Sequence, residues 1–85
     1  MDNSSWSKDR DLMRQILKQC RQESGLTQTD LASRLDVHQS YVSKIENGER
    51  KVDIVEFVSI VQGMGVDPIA VLNHYMNAKS SRLKH

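Results

Sequence analysis

The stretch Thr27–Gly48, TQTDLASRLDVHQSYVSKIENG, decides the fold, because it sets two short amphipathic segments on either side of a break only a few residues long. Thr27 opens the first segment. Its hydroxyl can accept a backbone N–H of the first helical turn, and Asp30, three residues on, places a carboxylate at the positive end of the helix dipole. Leu31, Ala32 and Leu35 then share one face. After Asp36 and Val37 the pattern restarts with Val42 and Ile45 three apart, and Asn47-Gly48 supplies residues able to adopt the left-handed conformation at which helices stop.

Two helices joined by so short a turn must cross steeply at close range, and the small side chain of Ala32 lets their backbones approach. The turn itself calls for a left-handed residue, usually glycine. Asp36 stands there instead, and aspartate reaches that conformation more cheaply than most side chains. The stretch therefore reads as a helix-turn-helix. At about 100° per residue, with Val42 and Ile45 turned inward, Ser40, Ser43, Lys44 and Asn47 point outward and Gln39 is exposed in the first turn. Amides, hydroxyls and a lysine suit base edges and phosphate oxygens, and glutamine in particular can make two hydrogen bonds to adenine. Glu46 falls beside the inward face, away from DNA.

From about Leu17 to Leu72, roughly two thirds of the chain, the sequence resembles the lambda-repressor/Cro-type helix-turn-helix domains of the XRE-like class. The resemblance is carried by LKQCRQESGLTQTDLA, by YVSKIENGER and by a capped helix followed by GVDP. It implies an all-α, compact five-helix lambda-repressor-like DNA-binding domain whose partner is double-stranded DNA. It also implies that Gln28 binds a phosphate, that His38, Gln39, Ser40 and Lys44 read bases, and that Arg50 and Lys51 touch the DNA backbone. Ser43 and Asn47 are expected at phosphates. Arg21 and Glu46 occupy positions that pair in similar domains, an ion pair that fixes helix orientation more than it adds stability.

The remainder predicts three further helices and no strand. Ser7 can cap a helix over about 8–23, with Leu12, Ile16, Leu17 and Cys20 inward and Ser24-Gly25 at its end. Asp53 and Glu56 open a helix over about 54–63. Its β-branched residues could suggest a strand, but the capping pair and the helical neighbours favour a buried helix in which Ile54, Val55, Phe57, Val58, Ile60 and Val61 are all covered. Gly63, where similar domains usually carry alanine, predicts that this helix frays early. Asp67-Pro68 starts the fifth helix, with aspartate as cap and proline in the first turn. The expected organisation is an extension over 1–7, a DNA-binding domain over 8–77 with its motif at 28–47, and a disordered tail over 78–85.

Ile69, Val71, Leu72, Tyr75 and Met76 spread over more than one face of the fifth helix, and a small domain hides only one face of a surface helix. Either a homodimer forms through Ile69, Leu72, Tyr75 and Met76, setting two recognition helices about 34 Å apart, or both faces pack internally against Trp6 and the first helix. Tyr41, at the edge of the inward face, suits core packing and a phosphate contact equally.

Eighty-five residues suffice for one domain with a modest core. A single Cys20 fits a reducing compartment, no apolar run reaches membrane-span length, and the opening MDNSSWSKDR lacks the pattern of a signal peptide, so a cytoplasmic location with no membrane partner is expected. His38, His74 and His85 are scattered without ligand-spaced partners; neither a metal nor another cofactor is expected. No phosphate loop or nucleophile–base set is present, which argues against an enzyme. The formal net charge is only +1, with nine Lys/Arg against eight Asp/Glu over residues 1–51, none against three over 52–77 and three against none over 78–85. Bulk attraction to a polyanion is therefore small, and binding must rest on placed contacts. The expectation is a sequence-specific transcription regulator, a repressor that binds a pseudo-palindromic operator as a dimer. The alternative is an antitoxin-type or adaptor protein that uses the same fold to bind a protein partner.

Overall fold

Side-chain caps set the starts of the three central helices. The computed structural model describes residues 5–83, in the order α1 (Ser5–Glu23), α2 (Gln28–Leu35), α3 (Gln39–Glu46), α4 (Ile54–Gly63) and α5 (Pro68–Leu83). Thr27 and Asp30 form a reciprocal capping box at α2, and Asp53 and Glu56 form another at α4. Each box satisfies two backbone donors that the helix geometry would otherwise leave without a partner. Asp67 Oδ1 accepts from the Ile69 N–H at 3.0 Å, so α5 starts as its Asp-Pro pair predicts. Asp36 is left-handed at φ 57°, ψ 46°, and its N–H closes α2 onto Ala32 and Ser33.

The core lies where α1, α2, α3 and α4 meet, with α5 covering one side. Ile16 and Leu17 from α1, Leu31 and Ala32 from α2, Val42 and Ile45 from α3, and Phe57, Ile60, Val61 and Met64 from α4 are buried, joined by Val71 of α5. Each Val, Leu, Ile, Phe or Met side chain so buried contributes roughly 1.5–3 kcal/mol. Ala32 is 3% exposed at the α2–α3 crossing, in keeping with its size. Lys79 of α5 reaches Asp9 of α1 at 3.3 Å, tying the first helix to the last.

Several expectations are corrected. The first helix starts at Ser5 rather than after Ser7, so Ser7 lies inside it. Ile54 and Val55 are 66% and 71% exposed, because the face that meets the core comes from Phe57, Ile60 and Val61 at helical spacing and turns the first two residues outward. Gly63 is the last residue of α4, and Arg34 Nη1 donates to its carbonyl at 3.1 Å. A Cβ at position 63 would stand 2.7 Å from Leu35 Cδ2, so the glycine serves the close approach of α2 and α4. The expected disordered tail is helical through residue 83, and the boundary expected after Asn77 falls within α5, where Ala78 packs against the core. Residues 1–4 of the expected extension, together with Lys84 and His85, lie outside the described residues.

Candidate nucleic-acid interface

The amino end of α2 and the outer face of α3 form one polar surface, built on a charged pair beneath it. Arg21 at the end of α1 donates to Glu46 through Nε at 2.6 Å and Nη2 at 2.9 Å, and its Nη1 donates to the Leu26 carbonyl at 2.7 Å. Both side chains are buried, at 9% and 6% exposure, so the pair expected from the family resemblance is present and more enclosed than its position alone implies. The hydrogen bonds to Glu46 raise the arginine's pKa above its ordinary value against the opposing effect of burial.

Glu46 also orients the surface above it. Its carboxylate only accepts, so Gln28 must present its amide nitrogen, which donates to Glu46 Oε1 at 3.0 Å. The carbonyl oxygen of Gln28 is thereby turned to Gln39, whose Nε2 donates to it at 2.6 Å. Gln39 keeps its own Oε1 as an acceptor and a second N–H as a donor. That pair matches the exposed edge of adenine.

His38 has a structural role that the sequence reading missed. It is the N-cap of α3, where Nδ1 accepts from the Ser40 N–H at 3.1 Å and lies 2.9 Å from Ser40 Oγ. A ring nitrogen that accepts a backbone N–H carries no proton of its own, so in the neutral ring Nε2–H is the donor left for a partner. Gln39 and Lys44 are exposed, and Ser40 and Ser43 half-buried, along the outer side of the helix. Asn47 is exposed, but its Oδ1 accepts from the Glu49 N–H at 3.1 Å, leaving its amide N–H groups as the donors for a partner.

Beyond α3 the two cations differ. Lys51 is exposed, whereas Arg50 pairs with Glu56 at 2.5 Å and lies 4.9 Å from the centre of the Tyr41 ring. Tyr41 is half-buried and its hydroxyl donates to the same carboxylate at 2.7 Å, so it joins the core margin to the start of α4. Desolvation, then the hydrogen bond to Glu56, raises the tyrosine's pKa. The Tyr41 hydroxyl, the Asp53 N–H and Arg50 together hold the Glu56 carboxyl down at about 2. Arg14 is another contributor that the sequence reading missed. Its Nη1 donates to the Glu46 carbonyl at 2.9 Å and caps the negative end of α3. The available signal was spacing, since Arg14 and Arg21 lie seven residues apart on one side of α1.

Elsewhere, the Cys20 thiol is half-buried, and burial followed by Glu23 raises its pKa. Among the described residues no three His, Cys, Asp or Glu side chains gather as a metal site, and no single helix is long and apolar enough to cross a membrane. On α5, Ile69 and Met76 are 63% and 55% exposed, while Leu72 and Tyr75 lean on the core. Trp6, the suggested internal cover, is itself exposed.

Comparison with known proteins bears on the family and the fold that carry this surface. The chain is 39% identical over 51 residues to the control protein C.MunI of a Mycoplasma species, a match covering 59% of this chain and 69% of that one. An XRE-family like protein from Pseudomonas syringae pv. tomato str. DC3000 superposes with a TM-score of 0.80 at 36% identity, covering 88% of this chain and 98% of the other. The restriction-modification controller protein C.Esp1396I, solved as a tetramer with its natural 35 base-pair operator, matches with a TM-score of 0.75 at 26% identity over 81% of this chain and 91% of that one. The helix-turn-helix family model matches residues 17–71, and the chain belongs to that family as an XRE-type helix-turn-helix protein.

Proposed function

We propose that this chain is a transcription regulator that binds a two-fold operator in double-stranded DNA as a homodimer. The observation that carries the reading is the outer face of α3, where Gln39 and Lys44 are exposed beside a half-buried Ser40 and Gln39 Nε2 donates to Gln28 Oε1 at 2.6 Å. His38, Gln39, Ser40 and Lys44 read bases, and Gln28, Ser43, Asn47 and Lys51 take phosphates; Arg50 joins them only by exchanging Glu56 for a phosphate. Control proteins and an operator complex among its relatives support the same reading. The chain acts in the cytoplasm by occupancy rather than by catalysis, and represses by blocking polymerase.

A net charge of +1 favours one other reading, a protein-binding module on the same fold. Selection of binders from random duplex DNA separates the two. A regulator yields a two-fold motif, and Lys44→Ala with Gln39→Ala then loses roughly 2 kcal/mol or more of discrimination while Tm moves by no more than about 4 °C. A double variant that binds the selected operator as well as the parent removes these residues from the reading set.

A further inference from the structure

A single interior carboxylate is connected by two hydrogen bonds to the exposed tip of α3. Glu46 is 6% exposed, and three donor atoms converge on it: Arg21 Nε on Oε2, and Arg21 Nη2 and Gln28 Nε2 together on Oε1. The ion pair and the bond to Gln28 are thus separate uses of one group. Removing the Gln28 amide leaves both contacts to Arg21 in place.

The two bonds that lead outward have a fixed direction. A carboxylate only accepts, so Gln28 must commit its nitrogen to Glu46 and offer Oε1 to Gln39, whose Nε2 donates to it at 2.6 Å. The two ends of an amide are alike in size and opposite in hydrogen bonding, so shape alone scarcely separates a glutamine from its flipped form. Here the choice is made by a buried charge two side chains away.

That choice has a counterpart in the major groove. An A·T pair presents the adenine N7 acceptor and N6 donor in one order across the groove, and the reversed pair presents them in the opposite order. A donor–acceptor edge held in one sense matches one of these orders. An amide free to turn over accommodates either.

We propose that Glu46 is a positioning residue for specificity: acting through Gln28, it fixes the sense in which Gln39 presents its donor and acceptor, and so decides which strand of the operator carries the adenine that Gln39 reads. The assignment rests on the operator-binding reading above. It gives a role in sequence choice to a side chain that is buried and touches no base.

The test compares full-length parent, Gln28→Met and Glu46→Gln on the selected operator and on copies in which each A·T pair of the half-site is reversed in turn. Gln39→Ala identifies the pair that Gln39 reads. At that pair the parent is expected to favour one orientation about fivefold or more, and both variants to fall within about twofold of no preference. Preferences at the other pairs stay as in the parent. A purely structural Glu46 would instead weaken binding to every duplex alike, as would loss of a phosphate contact by Gln28, and neither moves this ratio. Where Tm shows that Glu46→Gln does not fold, Arg21→Met/Glu46→Met removes the carboxylate without stranding the arginine and takes its place. Gln28→Met keeps the ion pair and decides the case even if both Glu46 variants unfold. Folded variants of either residue that retain the parent's orientation preference overturn the proposal while the operator reading stands. If random duplexes yield no motif, the operator reading has failed and the proposal falls with it.

Discussion

At the scale of single residues, Glu46 governs more than its own position. Buried against Arg21, it also dictates which end of the Gln28 amide faces Gln39. Removing one member of a buried pair leaves an uncompensated charge, which is more damaging than replacing both. Arg21→Met is therefore expected to destabilise the fold by roughly 3–5 kcal/mol in urea unfolding, and Arg21→Met/Glu46→Met to recover much of that loss. A single variant as stable as the parent would mean that water reaches the pair. The capping roles of Thr27 and Asp30 were legible in the sequence because oxygen side chains at that spacing are standard caps. His38 was not, since a ring nitrogen is an uncommon cap and its neighbours are equally consistent with solvent. Arg14 was missed because its partner is a main-chain carbonyl 32 residues away, so its seven-residue spacing from Arg21 placed it on the right side of α1 without pointing to the contact.

At the scale of elements, all five helices could be read from periodicity and caps, but the exposure of α4 could not. Six of its ten residues are large and apolar, so pattern alone leaves its inward direction open; packing against α2 and α5 selects Phe57, Ile60 and Val61 and leaves Ile54 and Val55 in solvent. The same helix carries a pH dependence. The Glu56 carboxyl stands at about 2 in the folded chain against an ordinary 4.5, chiefly because the Tyr41 hydroxyl and the Asp53 N–H donate to it. A carboxyl depressed by folding contributes stability above its unfolded pKa and loses that contribution as the pH falls. Urea midpoints of the parent should therefore drop between about pH 4.5 and pH 2. Glu56→Gln, which preserves the length of the capping side chain, should show a flatter profile in that window and a lower midpoint at neutral pH. Asp30, also depressed by its bonds to Thr27, supplies acid sensitivity that both proteins share. Identical profiles for the two would remove Glu56 from the account.

At the scale of the molecule, size makes a second copy a neighbour. Recognition helices one DNA turn apart are separated by about 34 Å. The chain measures 38 × 30 × 20 Å, so two copies reading successive grooves meet along their flanks where the longest dimension follows the DNA axis. Ile69 and Met76, seven residues apart on α5, form one exposed stripe suited to that meeting, whereas Leu72 and Tyr75 serve the core as well. Ile69→Lys with Met76→Lys is expected to give a monomer in sedimentation and to weaken operator binding at least about tenfold with little change in Tm. Should that variant sediment as a dimer while Ile54→Lys/Val55→Lys does not, the contact belongs to α4. The sequence left this choice open because two apolar faces on one helix do not reveal which of them a partner covers.

The contact between Asp9 and Lys79 bears on the order in which the domain completes itself. Its two members are separated by nearly the whole chain, so α1 lacks this anchor until α5 has been synthesised. Yet α1 also supplies Arg14 and Arg21, which steady the far side of α3. The helix that would meet DNA thus gains its full support only when the opening and closing segments of the polypeptide have come together.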